Sequence, residues 1–215
     1  MTVKALAHSP LTTEAVRELL EIPGSPPVPD DDFIAHSEKV LGWGFTDLVC
    51  DADLTRHGHV LSYDVDNPLG DPEAAFHLVF GEAYPYRPDM PDEAESLTDD
   101  VRTWAETPGW HFRTDPGPDG CESVLAEAAH TVSAVLGCPP QRTVRTDDHF
   151  SMGPHALCRI WRTSGHAVVL TPLADEGRYG YLTHLALALI PCPAEEELPA
   201  DDPALRDWVL KRIDW

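Results

Sequence analysis

The chain has 215 residues, 42% hydrophobic and 24% charged, which is enough apolar material for a packed core in one domain or two small lobes. Its net charge of −22 repels phosphate backbones and argues against direct nucleic-acid binding, and no stretch approaches the ~20 apolar residues of a membrane span. Five cysteines without C-x-x-C spacing point to neither a disulfide framework nor a zinc ribbon.

The first expected element is a short helix over 14–20, entered through Leu11-Thr12-Thr13, with Val16, Leu19 and Leu20 on one face. A proline-rich connector over 23–29 separates it from a second helix over 30–41, which Asp30 to Asp32 open and Gly42 stops. Strand-like runs follow at 45–54, 60–65 and 74–84, separated by Arg56-His57-Gly58 and Asn67-Pro68-Leu69-Gly70, so an antiparallel meander is expected. The acidic stretch 89–100 leads into a helix carrying Val101 and Trp104, ended by Pro108-Gly109. Beyond the Pro/Gly linker 115–120, helical spacing runs from Val124 to Leu136 until Gly137. Strands are then expected near 156–162, 166–172 and 179–190, and a last helix begins near Asp201-Asp202-Pro203.

Two halves of this string look alike. Cys50, Gly58-His59 and His77 in the first are answered by Cys158, Gly165-His166 and His184 in the second, and Val40-Leu41-Gly42 is answered by Val135-Leu136-Gly137. The expected fold class is therefore α+β, a tandem duplication of an α-βββ-α unit with antiparallel three-stranded meanders. The divisions are an N-terminal helix and connector (1–29), a first unit (30–114) and a second unit (115–215). Hairpin geometry predicts that His59 faces His77 and that His166 faces His184, with one apolar face of each meander turned inward. These pairs are expected to be structural. The metal alternative recruits His59, His77, His166 and His184 with Asp148 and His149 from the loop 147–155.

No nucleophile elbow, phosphate loop, zinc-protease helix or kinase signature occurs, so no catalytic residue and no cofactor is assigned. Residues 1–107 carry 22 acidic and 6 basic side chains (net −16), against 15 and 9 (net −6) in 108–215. Within that acidic half, Tyr84, Tyr86 and Arg87 combine hot-spot residue types with proline rigidity, beside Asp89, Asp92, Glu93, Glu95, Asp99 and Asp100. An aromatic anchor next to a carboxylate field is the chemistry of a site for a basic partner.

The second half, with Leu136-Gly137-Cys138-Pro139 ending a helix, Trp161 on a strand and Val168-Val169-Leu170 on the next, resembles actinobacterial immunity proteins of polymorphic-toxin loci. The α-βββ-α unit is similar to the YbjN and secretion-chaperone type of fold. The likeness covers mainly 121–192, with a fainter echo from Val40 to Trp43. It implies a stoichiometric protein-binding role, and together with the acidic charge the leading expectation is a non-enzymatic protein of immunity or chaperone type that masks a basic surface of a protein partner such as a toxin. The alternatives are a metal-dependent or hydrolytic enzyme using the loop 147–155, and a nucleic-acid mimic. Without the apolar run of a signal peptide, a cytoplasmic location is expected.

Overall fold

A computed structural model describes residues 2–49, 52–85, 94–117, 119–146, 156–174 and 182–213. Among these residues ten strands join one antiparallel sheet: β1 (Val3–His8), β2 (Gly44–Phe45), β3 (Ala52–Leu54), β4 (Val60–Tyr63), β5 (Phe76–Pro85), β6 (His111–Thr114), β7 (Arg142–Arg145), β8 (Leu157–Arg162), β9 (His166–Ala174) and β10 (Thr183–Pro191). Among the described residues five α-helices accompany it: α1 (Thr13–Glu21), α2 (Asp30–His36), α3 (Ala94–Thr103), α4 (Gly120–Leu136) and α5 (Asp202–Leu210). The strand order is β2-β3-β4-β5-β10-β9-β8-β7. No helix among the described residues is long and apolar enough to cross a membrane.

The ten-residue strand β5 organises the sheet. Its first half pairs with β4 on one edge, its second half pairs with β1 on that same edge, and β10 runs along the other. β1 in turn pairs with β6. The long apolar runs of β5 and β10 are what a strand buried on both faces requires, since neither face meets water.

Both faces are in fact covered. Leu61, Phe76, Leu78, Phe80, Leu170, Leu187 and Leu189 pack on one side against Val16 and Leu19 of α1, Phe33 of α2, and Leu125 and Val132 of α4. Val60, Val79, Ile160, Val169, Ala186 and Ala188 pack on the other against Leu97 and Val101 of α3, and Leu205, Trp208 and Val209 of α5. The arrangement is three-layered, helices on sheet on helices, and each fully buried Leu or Phe contributes roughly 1.5–3 kcal/mol.

Local signals place the helix ends. Thr12 Oγ1 accepts from Ala15 N (3.2 Å) at the start of α1, and Asp201 Oδ1 accepts from Ala204 N (2.9 Å) at the start of α5. Gly42 (φ 72°) and Gly137 (φ 71°) end their helices in the left-handed conformation that a side chain disfavours. Between α2 and Gly42, residues 37–41 form a π-helical turn.

The expected registers need correcting. His77 lies opposite Ser62, and Val60 opposite Val79, so His59 and His77 do not face each other. The supposed tight turn at 67–70 belongs to a wider connection. Asp64 and Ala75 close it, and Asn67 Nδ2 is drawn away to donate to Val28 O (2.8 Å) and Asp30 Oδ1 (2.9 Å). His166 lies opposite Pro191 and His184 opposite Leu173, because β9 continues to Ala174 and moves the turn centre. In the first hairpin Leu54 faces Val60. The three-stranded meanders also gain a member each. β2 precedes β3 to β5 and β7 precedes β8 to β10, while β1 arises in the segment expected to hold only a helix and connector.

Candidate functional site: an acidic cleft over the central strand pair

Glu82 on β5 and His184 on β10 are direct cross-strand partners at the middle of the sheet. Their side chains are almost fully buried, and Nδ1–H of His184 donates to Oε2 of Glu82. The backbone dictates this meeting, since the β5–β10 register carries both side chains to the face that α3 covers. A buried carboxylate needs such a partner, because its desolvation is otherwise prohibitive.

Trp104, just beyond α3, sets its ring 5.9 Å from that of His184, and Trp110 lies 4.8 Å from Trp104. Trp110 is fixed by donating Nε1–H to Gly58 O (2.6 Å), which ties the end of α3 to the β3–β4 turn.

Above this pair opens a cleft of about 730 Å³. Glu82 and His184 form its floor. One wall comes from the end of α3 and the turn after it, with Asp100, Thr103, Trp104, Glu106 and Thr107; the other comes from Phe45, Thr46, Asp47 and Leu48 at the β2 edge. Among the described lining residues there are four carboxylates, one imidazole and no lysine or arginine. Hydroxyls come from threonine alone, without serine or cysteine. Such an enclosure attracts cations.

The predicted site residues are dispersed. Tyr84 is fully buried in β5 against the α3 face, so its ring is not presented at the surface. Glu95 and Asp99 are exposed on α3, where Asp99 pairs with Arg102, and Asp100 reaches the cleft. Tyr86, Arg87, Asp89, Asp92 and Glu93 lie outside the described residues, as do Cys50, Asp148 and His149.

The four histidines share no site. His59 is buried, its Nε2 3.2 Å from Pro10 O, and burial lowers its pKa to about 4. His77 is also lowered to about 4, by burial first and by the nearby His184 second. His166 sits at the far end of β9 with its pKa lowered by burial. No group of three or more His, Cys, Asp or Glu among the described residues is placed to hold a metal ion. Burial pushes the thiols of Cys121 and Cys158 up to about 12, so both are inert core filler.

Sequence reasoning passed over Glu82, Asp47 and Glu106 as site residues. The available signal was Glu82 itself, one carboxylate inside the otherwise uncharged run from Phe76 to Tyr84. Compared with known proteins, the chain matches no family model, no curated protein and no solved structure. The likeness to immunity and chaperone families therefore rests on the sequence motifs alone.

Proposed function

We propose that this chain is a non-enzymatic, acidic, protein-binding protein of immunity or chaperone type that masks a basic surface of a protein partner. The observation that carries the reading is the placement of large exposed apolar side chains. Ile34 (70% exposed), Val40 (62%) and Phe45 (87%) all fall within residues 30–45, the stretch that also bears Asp30, Asp31, Asp32 and Glu38. Apolar anchors among carboxylates suit a partner that is basic at its rim and apolar at its centre. The charge of −16 over residues 1–107 supplies the long-range attraction for encounter.

A tandem duplication of one α-βββ-α unit is part of the same proposal. β2-β3-β4-β5 and β7-β8-β9-β10 run from opposite edges to meet at the centre, with α1, α2 and α4 on one face and α3 and α5 on the other. An internal pseudo-twofold relating two copies of one unit accounts for that order.

The test begins with capture of a partner by the full chain from its native host, followed by kinetics with the purified pair. The association rate is expected to fall about tenfold or more between low and high salt. A double variant, Ile34→Ser with Phe45→Ser, is expected to dissociate about tenfold faster while keeping its circular dichroism. A salt-independent rate, or a double variant that binds like the parent, overturns the proposal.

A further inference from the structure

The cleft over Glu82 and His184 asks for an occupant of defined chemistry. We infer that it is a binding site for a guanidinium group on an alkyl chain and, resting on the protein-binding reading above, that it receives an arginine side chain of the partner.

The cavity, about 730 Å³, lies in the range of ligand sites and is bounded by secondary structure on both sides. Glu82 is engaged by His184, and the other three lining carboxylates, Asp47, Asp100 and Glu106, give the walls an acidic character. The acids occupy different depths. Asp47 and Glu106 are exposed at the rim, Asp100 is half-buried, and the Glu82 side chain is 1% exposed at the floor. A charge entering from the rim thus passes Asp47 and Glu106 before reaching Asp100, in surroundings where screening weakens with depth.

The aromatic lining favours guanidinium over ammonium. Trp104 contributes to the wall and Phe45 stands 87% exposed at the β2 edge. A guanidinium stacks on such rings, pairs bidentately with carboxylates and is weakly hydrated, so it loses less than an ammonium on entering. The apolar residues Leu48, Leu54 and Leu182 give the alkyl stem a matching surface.

The probes are agmatine, a free alkylguanidinium, and a blocked Gly-Ala-Arg-Ala-Gly peptide, each titrated into the ¹⁵N-labelled full chain while the Trp104 indole N–H signal is followed. Both are expected to shift that signal saturably, glutarate to leave it unmoved, and cadaverine, a diamine of the same charge as agmatine, to bind more weakly than agmatine. Replacing the two exposed rim acids together, Asp47→Asn with Glu106→Gln, leaves the core intact and is expected to weaken both probes about tenfold. An unmoved Trp104 signal, or equal affinity in the rim variant, overturns the cleft as a site. Agmatine binding without the peptide keeps the guanidinium site and overturns the partner side chain as its source. Neither probe binding, while a captured partner still associates in a salt-dependent way, defeats the cleft and spares the parent proposal.

Discussion

His59 and His77 are held neutral inside the protein, and this links stability to pH with a definite sign. Each has a folded pKa near 4 against the ordinary 6.5, so the unfolded chain takes up protons that the folded chain refuses. Their contribution is complete above pH 6.5 and is lost as pH falls toward 4, up to about 3 kcal/mol for each imidazole. Asp53 acts oppositely, since burial raises its carboxyl pKa and favours the folded state as pH falls. Urea unfolding between pH 7.5 and 4.5 is expected to show falling stability, and His59→Gln a shallower slope because one titrating group is gone. An unchanged slope in that variant would mean that His59 is solvated.

Among the secondary-structure elements, α1 is tied to the first hairpin through one buried carboxylate. Glu18, with 9% of its side chain exposed, accepts from Trp43 Nε1 (3.1 Å) and lies 3.1 Å from His57 Nε2 and 3.4 Å from Arg56 Nε. Glu18→Ala leaves the Trp43 indole without its acceptor and is expected to cost about 1–3 kcal/mol. Glu18→Gln keeps a carbonyl there and is expected to cost clearly less. Equal losses in chemical denaturation would make the contact one of packing rather than hydrogen bonding.

At this level the sequence was most legible where the signal is local. Thr12, Asp201, Gly42 and Gly137 mark helix ends, and the apolar runs of β4, β5, β8, β9 and β10 mark strands. Pairings that depend on distant residues were not legible. The slip of the His59 and His77 register came from Asn67 bonding to Val28 and Asp30, thirty-seven and more residues away. β1 and β6 escaped notice because the alanines and lysine of the one and the arginine and histidine of the other carry little strand propensity, and their pairing with each other and with β5 supplies what propensity does not. Tyr84 read as a surface anchor because an aromatic before prolines says nothing of which face it occupies.

The molecule as assembled has one sheet passing without interruption from β2 to β7, and the β5–β10 seam joins the two halves of the chain. α1 and α4, one from each half, touch on the same face. Parting the halves would strip the β5 and β10 backbones of their shared ladder, so unfolding is expected to be a single cooperative event. Leu185, fully buried beside Gly81 at the seam, is the place to test this. Leu185→Ala is expected to cost about 2–5 kcal/mol and to lower one common transition, followed by calorimetry and by far- and near-ultraviolet dichroism together. Two separated transitions would show that the halves melt independently.

The position of β1 also bears on how the protein is made. Leu6 pairs with Ala83 on one side and Arg113 on the other, so this strand meets its first neighbour only in β5, some seventy-seven residues later in the chain, and its second only in β6, thirty residues beyond that. During synthesis both margins of β1 stay vacant until β5 is made, and one stays vacant until β6 follows, so the ribbon needs shelter from other nascent chains.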